Sequence, residues 1–121
     1  MSDSNTKINI LKNKVAEFVR ERDWEQFHNP KDLAVSISIE SAELLEKFQW
    51  KNNHEVDELL KNQEELQEIK DEIADIQIFL LSLANRLDLD ISQIVTDKLK
   101  KNKKKYPVHK AKGRADKYTK L

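Results

Sequence analysis

Two short stretches decide the fold of this chain: ESAE at residues 40–43 and EIAD at residues 72–75. Each stretch places two carboxylates at positions i and i+3 inside a helical repeat of apolar residues. At 3.6 residues per turn, such positions project from neighbouring points on one helix face. The pattern therefore predicts two helices with paired acids, which could face each other if the helices pack together.

The apolar spacing around these stretches predicts an all-α protein. Asn29 and Asp90 are the expected N-caps of the second and last helices, and Pro30 suits a first helical position. In the long helix, residues 69, 73, 76, 80, 83 and 87 are expected to point inward. Helices are predicted over about residues 6–22, 30 to 49 or 50, 64–87 and 90–105, with a short, weak helix at 54–61.

The composition favours one domain over residues 1–121, with residues 1–5 frayed and residues 107–121 forming an extended tail. The chain is 36% charged and holds one glycine and two prolines, which leaves little material for turns or strands. Because cysteine is absent, a disulfide framework and a thiolate nucleophile are excluded. We find no signal peptide and no apolar run long enough for a membrane span, so we expect no membrane partner and a cytoplasmic location.

The zero net charge hides a strong segregation of charge along the chain. Residues 55–75 contain nine acids and two lysines, whereas residues 98–121 contain eleven lysines or arginines and one acid. Both segments could simply be solvated helix faces. Alternatively, the basic segment could bind nucleic acid or an acidic partner.

The four carboxylates of the two stretches lie at or near the edge of the apolar stripes. On a helical wheel, Glu40 is about 40° from Leu44, and Glu72 and Asp75 hold the same relation to Ile76 as Glu40 and Glu43, respectively, hold to Leu44. Acids gathered at a helix–helix seam repel one another and lose hydration, and a bound cation would remove that penalty. An all-carboxylate site favours Mg²⁺ or Mn²⁺. The alternative is again a solvated face.

Candidate substrate contacts lie on both sides of the acids. Trp24 and Trp50 flank the second helix and could each stack on a base, although packing in the core is the alternative. His28 precedes the Asn29 cap and is the most notable histidine. In the last helix, Lys98, Asn102 and Tyr106 follow at about one-turn spacing, and Lys98 could meet a phosphate.

The sequence also resembles a known family, the MazG-like all-α nucleotide pyrophosphohydrolases, and its dCTP pyrophosphatase-type branch. Glu40-x-x-Glu43, 28 intervening residues and Glu72-x-x-Asp75 resemble the family's signature. Four further segments are similar to those of the branch: RDWEQFH at 22–28, FQWK at 48–51, YPVH at 106–109 and KYT at 117–119. The resemblance covers nearly the whole chain from about Leu11.

The resemblance implies a four-helix-bundle-like MazG-type fold, assembled as a dimer or a dimer of dimers. It implies Mg²⁺-dependent hydrolysis of a nucleoside triphosphate to the monophosphate and pyrophosphate. The implied metal ligands are Glu40, Glu43, Glu72 and Asp75, with Glu43 and Glu72 catalytic. The residues expected to bind the substrate are Trp24, His28, Trp50, Lys98, Asn102 and Tyr106.

Two residues depart from the dCTP-specific pattern that the chain resembles. Val15 stands where those members carry a histidine near the base, and Phe79 stands where they carry a tyrosine. The preferred base therefore stays open, with dCTP, other deoxynucleotides and modified deoxynucleotides as the alternatives. The competing hypothesis is a non-catalytic helical module that binds nucleic acid or an acidic partner through its lysine-rich end, but this leaves the paired acids unexplained.

Overall fold

The computed structural model describes residues 1–121 and contains helices but no strand. The all-α fold class is therefore confirmed. None of the helices combines the length and the apolar character needed to span a bilayer. The α-helices are α1 (Ile8–Glu21), α2 (Pro30–Glu46), α3 (Asn53–Leu59), α4 (Gln63–Arg86), α5 (Ile91–Lys105) and α6 (Val108–Ala111), and 3-10 turns occupy Glu25–Phe27 and Tyr118–Lys120.

The chain divides into two compact units, Met1–Asp88 and Leu89–Leu121. The first unit contains α1 to α4 and both acid pairs. The second contains α5, α6 and the C-terminal 3-10 turn. The single domain expected over residues 1–121 stays a prediction.

Side-chain caps begin α2 and α5 where the sequence predicts them. The Asn29 side chain accepts a hydrogen bond from the Asp32 backbone N–H at 2.9 Å, and Pro30 is the first residue of α2. The Asp90 carboxylate accepts from the Gln93 N–H at 2.8 Å at the start of α5. These caps satisfy backbone donors that have no partner within the first helical turn.

The long helix α4 is the element on which α1 and α2 pack. Lys47 contacts Glu68, and the His28 ring lies 6.4 Å from the Phe79 ring. Residue numbers therefore rise along α2 while they fall along α4, so the two helices are antiparallel. The buried hydrophobic residues of this unit are Val19, Leu33, Ile69, Leu81 and Ala84.

Part of the predicted inward stripe of α4 is exposed. Ile73 and Leu80 were expected to be buried, but they are 54% and 40% exposed. Within the unit, α1 and α2 are the main partners of α4, and they cover only part of its circumference. The helical period identifies apolar positions correctly, but it does not specify which helix covers each one.

The C-terminal end of α2 also differs from the prediction. The helix ends at Glu46, and residues 47–50 continue as turns rather than as helix. Trp50 has a backbone φ of 69°, in the left-handed region. A residue in this conformation cannot extend a right-handed helix.

The expectation of an extended tail over residues 107–121 is corrected by α6 and by the turn at Tyr118–Lys120. Pro107 ends the preceding helix, but it also serves as the N-cap of α6, because its carbonyl accepts from the Ala111 N–H at 2.9 Å. Proline suits the start of a helix since its missing N–H is not needed there. The Tyr118 ring packs edge-on against Tyr106, with ring centroids 6.1 Å apart.

Replacing Asn29 tests the cap that begins α2. We expect Asn29→Ala to lower the free energy of unfolding by about 1 kcal/mol, because the Asp32 N–H loses its partner. Asn29→Ser keeps an acceptor at this position and should retain most of the stability. Urea denaturation measures both, with Asn9→Ala on α1 as the control. Equal stability of Asn29→Ala and the unmodified protein would contradict the assignment.

Candidate functional site

Packing of α2 against α4 brings three predicted site residues together. Glu40 and Glu43 lie on α2 and Glu72 lies on α4, and each contributes a carboxylate oxygen to a group whose members are all within 4.8 Å of one another. We refer to Glu40, Glu43 and Glu72 as the acidic cluster. Its ligands are hard oxygen atoms, which suit Mg²⁺ or Mn²⁺ better than thiol-binding or imidazole-binding metals.

Two oxygens of the acidic cluster are buried without a hydrogen-bond partner. They are Oε2 of Glu40 and Oε2 of Glu72. A buried acceptor without a donor is costly, and a charged one more so. A proton or a cation is therefore needed at this point of the seam, and the orphaned oxygens fit a metal ion.

The environment of Glu40 disfavours its charged form. Burial, followed by the neighbouring carboxyl groups of Glu72 and Glu43, raises the pKa of Glu40 from its ordinary 4.5 to about 7. The negative charge of Asp75 adds a smaller effect in the same direction. These causes share one origin, the crowding of like charges away from water.

Asp75 is separate from the acidic cluster, although the sequence predicts it as a fourth ligand. It follows Glu72 by three residues on α4 and is exposed. Its oxygens are outside the group formed by Glu40, Glu43 and Glu72. Asp75 acts on Glu40 through its charge, so its role as a metal ligand stays a prediction.

The sequence pattern did not predict an ion pair that lies beside the acidic cluster. Lys47, the C-cap residue of α2, donates through its Nζ to Glu68 Oε2 on α4. This hydrogen bond is the main cause that raises the pKa of Lys47. The spacing of these two residues could have indicated the pair, because Lys47 follows Glu40 by two helical turns and Glu68 precedes Glu72 by one turn.

Trp24 and His28 belong to a row of rings at the other end of α2. The Trp24 ring lies edge-on to Phe18, with centroids 5.7 Å apart, and 6.5 Å from the His28 ring. His28 in turn lies 6.4 Å from Phe79 on α4, and its Nδ1 is buried without a partner. The contact with Phe79 places His28 beside α4, about one turn beyond Asp75, and Trp24 lies next to His28.

The other predicted substrate residues lie outside this row. Trp50 follows α2 and is 89% exposed, so its ring has an open face. Lys98, Asn102 and Tyr106 belong to the second unit, on α5 and at its C-cap. The Tyr106 N–H donates to the Asn102 carbonyl at 2.8 Å. Their contacts with a substrate stay predictions.

Comparison with known proteins assigns the family. The MazG-like family model matches residues 35–121, which include both acid pairs. This chain belongs to the MazG-like family, and the resemblance predicted from its motifs is confirmed. The all-helical architecture agrees with that assignment.

Individual relatives place the similarity within the dCTP pyrophosphatase-type branch of the family. The chain is 42% identical over 106 residues to dCTP pyrophosphatase 1 of Mus musculus, and 40% identical over the same length to that of Homo sapiens. Each match covers 88% of this chain and 62% of the relative, so the chain spans less than two thirds of their length.

One solved structure provides a further comparison. The crystal structure of a pyrophosphatase from Archaeoglobus fulgidus DSM 4304 is 40% identical and superposes with a TM-score of 0.78. The match covers 88% of this chain and 98% of the archaeal chain. The fold is therefore shared over almost the entire archaeal protein.

The raised pKa of Glu40 makes the stability of the metal-free protein depend on pH. Because the folded state holds this proton more tightly than the unfolded chain, the contribution of Glu40 to stability should be fully present below about pH 4.5 and should be lost as the pH rises through about 7. We expect roughly 1–3 kcal/mol of this loss to disappear in Glu40→Gln. Urea unfolding in a chelating buffer at pH 5 and pH 8 measures the difference.

Glu46→Gln, at an exposed position on α2, is the matched control and should keep the unmodified pH dependence. Adding Mg²⁺ at pH 8 should restore stability to the unmodified protein, because a cation replaces the proton at the crowded carboxylates. Identical pH dependence in Glu40→Gln and the unmodified protein would contradict the crowding of charge at this seam.

Proposed function

We propose that this chain is a Mg²⁺-dependent nucleoside triphosphate pyrophosphohydrolase that acts in nucleotide-pool sanitation. The observation that carries the proposal is the acidic cluster with its two unpartnered, buried carboxylate oxygens. Membership of the MazG-like family and the likeness to proteins named dCTP pyrophosphatase 1 support the reaction type. The proposal includes a cytoplasmic location.

Glu40, Glu43 and Glu72 would hold the metal ion, with Asp75 as a fourth ligand from the next turn of α4. When bound, Mg²⁺ or Mn²⁺ would supply charge neutralisation for the triphosphate and a lowered pKa for a water molecule. Hard carboxylate donors and orphaned acceptors are what such an ion requires. The nearby Lys47 is already paired with Glu68 and leaves the cluster without a cation of its own.

In the proposed reaction, water attacks the α-phosphorus of the triphosphate. The bond from this phosphorus to the bridging α–β oxygen breaks, and pyrophosphate leaves. Glu43 on α2 orients the attacking water and accepts its proton, while Glu72 would hold the metal ion from α4. The two roles therefore fall on different helices, α2 and α4, which together carry the acidic cluster.

The substrate is proposed to be a deoxynucleoside triphosphate, with dCTP and base-modified dNTPs the first candidates. Trp24 and His28 are assigned to the base. Trp50 follows the opposite end of α2, so it is assigned to the base held by a second copy of the chain. Lys98, Asn102 and Tyr106 are assigned to the phosphates and sugar. The relatives' printed name specifies dCTP for those proteins. Val15 and Phe79 supply no polar group toward a base, so the preference of this chain is decided by other side chains.

We propose a homodimer or a homotetramer as the functional form. Both helices of the acidic cluster leave large apolar side chains uncovered, including Ile39 on α2 at 52% exposure and Ile73 on α4 at 54%. Apolar groups of this size on packed helices favour burial against another subunit. A second copy of the chain is the partner that the resemblance implies.

Conservative replacement of the acids tests the proposed hydrolysis. Glu43→Gln and Asp75→Asn should each lower the rate of pyrophosphate release by about 100-fold or more, because each removes one charge from the proposed metal site. Glu46→Gln should retain full activity. The assay uses a panel of dNTPs, NTPs and base-modified dNTPs with Mg²⁺. A folded protein that is inactive on the whole panel would refute the proposal.

Charge placed on the exposed apolar positions tests the oligomer. We expect Ile39→Glu or Ile73→Glu to shift the unmodified dimer or tetramer toward smaller species, since a carboxylate is costly to bury at an interface. Asn9→Glu adds the same charge to an exposed position on α1 and should leave the mass unchanged. Light scattering after size exclusion measures the mass, and a monomeric unmodified protein contradicts this part of the proposal.

A further inference from the structure

A cavity of about 300 Å³ lies beside α1 and the C-terminal part of α4, within the first unit. Ala16 and Val19 line it from α1, and Ser82 and Asn85 line it from α4. Its volume is at the lower end of the range for small-molecule pockets. The cavity is therefore large enough to admit a flat ring system.

Two residues that line the cavity each have a buried polar side-chain atom without a partner. These atoms are the Ser82 Oγ and the His28 Nδ1, and Ser82 as a whole is only 6% exposed. A buried hydroxyl without a hydrogen bond costs free energy relative to alanine. Asn85, by contrast, is held in place because its Nδ2 donates to the Lys12 carbonyl at 2.9 Å.

The cavity and the proposed metal ligands lie on one side of α4. At 100° per residue, Ser82 lies about 80° round the helix from Glu72 and about 20° from Asp75. Along the axis, Ser82 is seven residues beyond Asp75, or about 10 Å at 1.5 Å per residue. Phe79 lies between them and contacts the His28 ring, which also lines the cavity.

We propose that the Ser82 hydroxyl reads the polar edge of the nucleobase and is a specificity-determining residue of this chain. The inference rests on the proposed function, which places the triphosphate at the acidic cluster. With the phosphates there, the base lies one nucleoside length further along α4. The cavity there offers the apolar side chains of Ala16 and Val19, the charged side chains of Glu25 and Arg86, and the unpartnered hydroxyl of Ser82. Ala16 and Val19 contact the ring faces, while the Ser82 hydroxyl donates to or accepts from the edge.

Kinetics of Ser82→Ala test this assignment against a substrate that has no base. For the dNTP that the unmodified enzyme prefers, we expect the variant to raise KM about 5–15-fold with kcat unchanged. For 2-deoxyribose 5-triphosphate, which carries no base, the kinetics should not change. An equal effect on both substrates, or no effect on either, overturns the proposal and leaves the cavity a site for water only.

Stability separates recognition from a structural role. Because the Ser82 hydroxyl has no partner in the free protein, Ser82→Ala should keep or raise the melting temperature. Ser82→Thr restores a hydroxyl and should recover most of the lost affinity, and Ser92→Ala on α5 is the neutral control. A melting temperature lowered in Ser82→Ala, with no recovery in Ser82→Thr, shows a structural role and overturns the proposal.

Binding without hydrolysis separates this inference from the proposed function. In a chelating buffer, calorimetric titration with the deoxynucleoside monophosphate of the preferred base, or dCMP if no triphosphate is hydrolysed, should give a Kd about 5–15-fold weaker for Ser82→Ala. If Ser82→Ala binds more weakly in this way but the unmodified protein hydrolyses no triphosphate, the proposed function is refuted and the role of Ser82 is not. Equal affinities, or no binding by the unmodified protein, overturn the role of Ser82.

Discussion

Repulsion between carboxylates at the contact of α2 with α4 is the constraint on which the functional account depends. Packing of the two helices brings Glu40 and Glu43 against Glu72, and Oε2 of Glu40 and of Glu72 are left without donors. The same crowding raises the pKa of Glu40. Crowded carboxylates do not stabilise a protein by themselves, so we infer that their role depends on the proton or cation that neutralises them.

Because α4 is long and continuous, it connects the acidic cluster to the rest of the first unit. Its N-terminal half carries Glu68 and Glu72 opposite α2, and its C-terminal half carries Ser82 opposite α1. Between them, Phe79 contacts the ring of His28. One rigid element therefore sets the distance between the proposed chemistry and the proposed base pocket.

Local signals in the sequence predicted helices α1 to α5 and the acid pairs, but not α6. The caps at Asn29 and Asp90 depend on nearest neighbours along the chain, and the structure has both. The pairing of Lys47 with Glu68 and the lining of the cavity combine residues that are distant in sequence. They depend on how α1 and α2 share the surface of α4, which helical periodicity does not encode. The exposure of Ile73 has the same origin.

Binding of Mn²⁺ tests the central claim, that the facing carboxylates of α2 and α4 form a divalent-cation site. Titration followed by electron paramagnetic resonance should show saturable binding that Mg²⁺ displaces, with affinity reduced at least about tenfold in Glu72→Gln. Glu64→Gln, at an exposed position in the first turn of α4, should bind as the unmodified protein does. Unchanged binding in Glu72→Gln, or no saturable binding at all, would contradict the account.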